Sequence, residues 1–182
     1  MLDGAHSRSS LSTRRGERLK SPFILYTEDI EQIEIICQAL YQGAYAKSVF
    51  VVDKDGQLVA QSGETMSIDT TALASLTAGA IAAAGGLAQL IGEKEFPVQL
   101  HEGERESIHT SLVGDRFILV LIFDERSSLG LVRMRLKRAH QALAELLRRF
   151  EARDAEPSAQ PKLFSEISDD DIEALFDSPG DS

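Results

Sequence analysis

Between Asp69 and Glu93 the chain carries no charged residue, and the stretch SLTAGAIAAAGGLAQLIG at 75–92 is built largely from alanine and glycine. Apolar residues recur there at helical spacing, so the segment reads as a helix. Asp69 can cap its start, and Ile68 and Leu73 can staple its first turn. Such a helix has to tolerate Gly79, Gly85 and Gly86, each costing roughly 0.5–1 kcal/mol relative to alanine. Wound at about 100° per residue, Leu73, Leu76, Ala80, Ala83, Ala84, Leu87, Leu90 and Ile91 gather on one side. That side is the expected core face. Ser75, Ala78, Gly79, Ala82, Gly85, Gly86 and Gln89 gather opposite. A solvated helix surface ordinarily carries Glu, Lys and Arg, whereas this one is small and uncharged, so another backbone can approach closely. Burial on both sides within one large monomer is the alternative, but a chain of 182 residues leaves few elements to cover it. The second side is therefore expected to dock a protein: a second copy, another protein, or both.

The rest of the chain supplies the other elements. A helix is expected from Thr27, read as a cap with Glu28 and Asp29 in the first turn. Its apolar face is Ile30, Ile33, Ile36, Cys37 and Leu40, and Gly43 is its expected terminator. Two β-rich runs, 48–52 and 57–61, flank turn chemistry at 53–56 and predict a hairpin. Asp53 and Asp55 also suggest a calcium loop, but its sixth position falls on Leu58 where a glycine is needed. Strands are expected at 96–102, 107–113 and 117–123, with Pro97 marking an edge or a strand start. A last helix starts near Ser127 or Ser128 with an apolar stripe of Leu129, Val132, Leu136, Ala139, Leu143, Leu146 and Phe150. Its outer side, with Arg133, Lys137, Arg138, Arg148 and Arg149, reads as a solvated basic face. The order is helix, two strands, helix, three strands, helix, an α/β protein of the α+β kind.

Several functions are disfavoured. A net charge of −10 argues against nucleic acid, which needs a basic field. No run of 18 or more apolar residues is read, so membrane insertion is not expected. The basic start lacks an apolar stretch and is not a secretory signal, and a lone Cys37 gives no disulfide framework. A cytoplasmic protein is expected. There is no GxxxxGK[ST] loop for GTP. His101, Glu102 and His109 lack HExxH spacing and fall on separate strands, so no metal is expected. Cys37 lies on a core face with no evident base, and is expected to be inert. No cofactor and no active site of its own are therefore expected.

The segments VVDKDGQLVAQSG, IDTTALASLTAGAIAAAGGLAQLIGEKEFP, HEG and FDERSSLGLVRMRLKRA, in this order, resemble the Roadblock/LC7 family. More narrowly they are similar to its bacterial MglB-type branch, whose members partner the Ras-like GTPase MglA. The resemblance spans about 24–150 and the ending FSEISDDDIEALF. It implies an αββαβββα sandwich whose five-stranded antiparallel sheet extends across a homodimer. The dimer edge would be the 96–102 strand, with Pro97, Val98, Gln99 and Leu100. The second helices would pair, and Ser75, Ala78, Gly79, Ala82, Gly86 and Gln89 would form the GTPase platform. Ala82 and Gly86 hold positions where the family needs small side chains. The resemblance further implies a GTPase-activating regulator, not an enzyme, that selects the conformation aligning the GTPase's own catalytic residues. It implies no arginine finger, and Arg126 is expected to serve a loop or cap. A role in cell polarity and motility, at a cell pole, goes with the resemblance. The alternative is a Roadblock scaffold that binds a GTPase or another Roadblock protein without accelerating hydrolysis.

Residues 1–22 are read as a disordered basic arm with Arg8, Arg14, Arg15, Arg18 and Lys20, with binding to an acidic surface as the other reading. The arm departs from the family's short start. The Roadblock domain is expected over 23–152 and a flexible linker over 153–166. At 167–177 a short helix is predicted, with Ser168 as cap, Asp171 completing a capping box, and Ile167 and Ile172 as a staple. Ile172, Leu175 and Phe176 share an apolar side, and so short a helix is marginal alone, which favours folding on a partner. The resemblance makes that partner the same GTPase; self-docking or disorder is the alternative. Residues 178–182 are read as a disordered end.

Overall fold

The computed structural model describes residues 24–155. Its elements are α1 (Thr27–Ala44), β1 (Ser48–Asp53), β2 (Leu58–Gly63), α2 (Thr70–Leu90), β3 (Val98–Glu102), β4 (Ser107–Val113), β5 (Phe117–Phe123) and α3 (Leu129–Ala155). The five strands make one antiparallel sheet in the order β2-β1-β5-β4-β3. β5 sits at the centre, and every one of its residues is buried. That follows from its unbroken apolar run, since a strand covered on both faces cannot alternate with polar residues.

Helices cover the two faces unequally. Val49, Val51, Phe117, Leu119 and Leu121 point to the side of α1 and α3, where they join Ile33, Cys37, Leu40, Val132, Leu143 and Phe150 in the larger core. Phe50, Val52, Ile118, Val120 and Ile122 point to the other side and meet only α2. Hairpin β1–β2 turns where expected: Gln57 N–H donates to Asp53 Oδ1 at 2.8 Å, and Gly56 takes φ +84°. Gly63 ends β2 at φ +96°, where a Cβ would lie 2.5 Å from the Lys47 carbonyl and 2.7 Å from the Tyr41 ring. Only glycine fits there.

Helix ends depart from the sequence reading in three places. α1 is capped at Tyr26, not Thr27, because the Asp29 carboxylate accepts from the Tyr26 N–H at 2.9 Å. It ends at Tyr45 in the left-handed region, one residue past Ala44, so Gly43 lies inside the helix. α3 continues to Ala155, beyond the boundary drawn at 152. The extra turn has a purpose in packing. Arg153 donates to both oxygens of buried Asp29, at 2.9 and 2.8 Å, and to the Ile24 carbonyl at 3.0 Å, and stacks 4.5 Å over the Tyr26 ring. This cluster ties the end of α3 to the start of α1.

By length and composition alone α2 could cross a bilayer, which the reading of run lengths did not anticipate. Its alanines and glycines add up to sufficient hydropathy without long apolar side chains. One side of it packs on the sheet of a small domain.

Candidate protein-docking site

α2 is positioned by its cap and by a narrow seam. Asp69 Oδ1 accepts from the Ala72 N–H at 3.0 Å, and Ile68 and Leu73 pack on the smaller core. Along the helix Ala74, Ile81 and Ala88 are buried, seven residues apart, with exposures of 1%, 8% and 0%. Two alanines in that seam let the helix sit low on Phe50, Val52 and Ile118. Leu73, Thr77, Ala78, Ala84 and Gly85 flank the seam half-buried. Apart from half-buried Thr70 at its start, the rest of the helix faces solvent.

The expected core face is therefore corrected. Leu76 is 74% exposed, Leu87 58%, Leu90 81% and Ile91 69%, and Ala80 and Ala83 are also exposed. The seam lies between the leucine side and the small-residue side, so both are left open. Ser75, Gly79, Ala82, Gly86 and Gln89 are exposed on the small side. Among the described residues a Cβ at Gly79, Gly85 or Gly86 would meet no atom within 4 Å, so no contact there requires these glycines. Ala78, grouped with them in the sequence, is half-buried and packs on the smaller core beside Gly56 of the β1–β2 turn. The spacing of Ala74, Ile81 and Ala88 was the signal that could have located the seam.

β3 forms one edge of the sheet, opposite β2, and is free among the described residues. It pairs with β4 alone, in the register Val98↔Ser111, Gln99↔Thr110, Leu100↔His109. Pro97 is exposed just before it, and its carbonyl accepts from the Leu112 N–H at 2.9 Å. Val98 is 53% exposed, while Gln99 and Leu100 are half-buried. An uncapped edge of this kind is open to pairing with another strand.

The titratable groups read as structural. Arg126 is held by Asp124 and by Glu64, each at 2.9 Å, and these hydrogen bonds raise its pKa and lower that of Asp124. It pins the loop that follows β5 to the end of β2. Lys47 pairs with Glu106 at the same end of the sheet. Burial, and then the nearby charge of Glu34, push the Cys37 thiol up to about 12, so it is not a thiolate at neutral pH. His101 pairs across from Ile108 and Leu100 from His109, so the two histidines point to opposite faces of the sheet. Ile167, Ile172, Leu175 and Phe176 lie outside the described residues, as does the basic arm.

An αββαβββα sandwich with a free strand edge and a two-faced second helix is the architecture of a Roadblock domain. The Roadblock/LC7 domain family matches residues 32–123, and the chain belongs to that family. Among solved structures it is similar to Myxococcus xanthus MglB, at 52% identity and a TM-score of 0.67, over 70% of this chain and 96% of that one. The gliding protein MglB of Thermus thermophilus is 30% identical with a TM-score of 0.65, over 72% of this chain and 99% of that one. An MglB with a tetrameric arrangement is 29% identical with a TM-score of 0.65, over 72% and 99%. Comparison with curated proteins finds no match.

Proposed function

We propose that this protein is a regulator of the MglB kind, a homodimer that binds an MglA-type Ras-like GTPase and stimulates its GTP hydrolysis. The observation that carries the reading is α2, a helix without charge whose leucine and small-residue sides both face solvent. Two exposed faces accommodate two partners. The leucine side, with Leu76, Leu87 and Leu90, supplies the apolar area a second copy needs, and the β3 edge supplies its unpaired backbone groups. The small-residue side, with Gly79, Ala82 and Gly86, is left as the platform for the GTPase. Similarity to MglB at 52% identity over most of the domain supports the choice of partner.

Such a regulator acts through conformational choice. Phosphoryl transfer depends mainly on positioning and charge stabilisation. A dimer that binds best to the GTPase state with its own catalytic residues aligned shifts the population toward that state. The tail at 167–177 adds a second contact, and the complex works in the cytoplasm at a cell pole in polarity and motility.

Single-turnover GTP hydrolysis by the cognate GTPase, with and without this protein, is the test. Acceleration that Ala82→Arg abolishes supports the activating reading. Binding without acceleration would leave a scaffold, and acceleration untouched by Ala82→Arg would place the docking face elsewhere.

A further inference from the structure

The side of the sheet toward α3 ends in a shelf that α1 and α3 leave partly open at β3. Because paired residues share a face, Val98 and Leu100 of β3 lie beside Ser111 and His109 of β4. Val98 is 53% exposed and Leu100 half-buried, so the floor of the shelf is partly apolar. His109 and Ser111 are each 5% exposed, yet His109 Nδ1 and Ser111 Oγ meet no hydrogen-bond partner among the described residues. Buried polar atoms ordinarily find one.

α3 forms the wall. A His140 ring nitrogen lies 2.6 Å from the Leu112 carbonyl oxygen and holds the helix against β4. Arg133, Lys137 and Arg148 fall on this same flank by helical spacing, and all are exposed. Arg133 is near enough for its charge, after burial, to oppose protonation of His109. The flank toward α1 differs. There Arg149 bonds Gln32 and Arg153 bonds Asp29, whereas Arg133 and Lys137 form no ion pair among the described residues.

We infer that the acidic segment 166–177 of this same chain docks on the shelf. Its carboxylates, from Glu166, Asp169, Asp170, Asp171, Glu173 and Asp177, face the flank of Arg133 and Lys137. Ile172, Leu175 and Phe176 cover Val98 and Leu100. Past Lys162 the chain has no basic residue, so its charge is complementary to the wall. Its reach is sufficient. From Arg133 to the end of α3 is about 33 Å at 1.5 Å per residue, and residues 156–166 span about 37 Å when extended. A tail held there is withheld from any other partner. That consequence rests on the function proposed above, but the docking itself does not.

A nitroxide label at Ser178→Cys tests the docking in the full chain without any GTPase, the buried Cys37 thiol being protected from labelling. Amide signals of Leu100, His109 and Ser111 should lose at least half their height, while those of Thr77 and Ile81 on α2 keep theirs. Arg133→Glu with Lys137→Glu should restore the signals, and adding Asp169→Lys, Asp170→Lys and Asp171→Lys should bring the loss back. The amide spectrum itself reports that each variant is folded. Signals untouched in the wild-type sequence, loss centred on α1 or α2, or loss that survives Arg133→Glu with Lys137→Glu would each overturn the proposal. None of these outcomes bears on the hydrolysis assay, so the two readings fail separately.

Discussion

The two faces of the sheet are built for different ends. Toward α1 and α3 the described residues bury a continuous core, to which α3 alone gives Val132, Leu136, Ala139, Leu143, Leu146, Leu147 and Phe150. Toward α2 the helix buries only Ala74 and Ile81 in the core cluster, with Leu73 and Ala78 half-buried against it, and Ala88 is its one other buried residue. The first face holds the domain together. The second is thinly covered by a helix that leaves its large side chains outside, against the gain of roughly 1.5–3 kcal/mol that burying each would bring. A helix so placed is held in the monomer by a seam of small residues and leaves its other faces open.

The comparison is tested most severely by removing equal side chains from the two faces. Leu143→Ala, in the larger core and fully buried, should cost about 2–5 kcal/mol in urea unfolding. Leu76→Ala, at 74% exposure, should stay within about 0.5 kcal/mol at concentrations where the protein is monomeric. Equal losses would mean that the leucine side is covered within one chain.

Arg153→Met sharpens the account of the first face by leaving the Asp29 carboxylate buried without its partner. Because Arg153 is itself 40% exposed, the loss should be smaller than that of a fully buried pair and smaller than that of Leu143→Ala. Thermal unfolding at neutral pH reads it.

A smaller effect is expected from His109, whose pKa is lowered by burial first and by Arg133 second. With the folded pKa below the ordinary 6.5, the unfolded chain binds the extra proton as the pH falls through that value. Stability is therefore retained above it and declines as the pH falls below it. Unfolding midpoints for the wild type and His109→Gln should converge as the pH is lowered; parallel curves would show that His109 is not the group responsible.

The smallest effect on stability belongs to the second face. Leu87→Asp and Ala82→Arg should each leave the unfolding midpoint of the monomer within about 0.5 kcal/mol. Sedimentation should show the dimer lost in Leu87→Asp and kept in Ala82→Arg. Loss of the dimer in both would merge the two sides of α2 into a single interface.

Where local chemistry is strong, the chain was legible residue by residue. β4 and β5 have the bounds read from the sequence, because alternation and an unbroken apolar run are each bounded by clear turn residues, Gly114 and Asp115 between them. Asp69 caps α2 as its position implied. The start of α1 was shifted by one residue because a carboxylate three positions on, not a hydroxyl, completes the cap.

Its own residues thus determined the order of elements, the family, and the unusual absence of charge on α2. Which side of α2 meets the sheet was decided by tertiary structure alone. A helix that is small or apolar all round has no strong amphipathic direction to fix its rotation. The sheet chose the seam where Ala74, Ile81 and Ala88 allow the closest approach, and the leucines were left facing out. The shelf between α3 and β3 was equally out of reach of the sequence, because Arg133, His109 and Val98 come from three elements that only the folded sheet brings side by side.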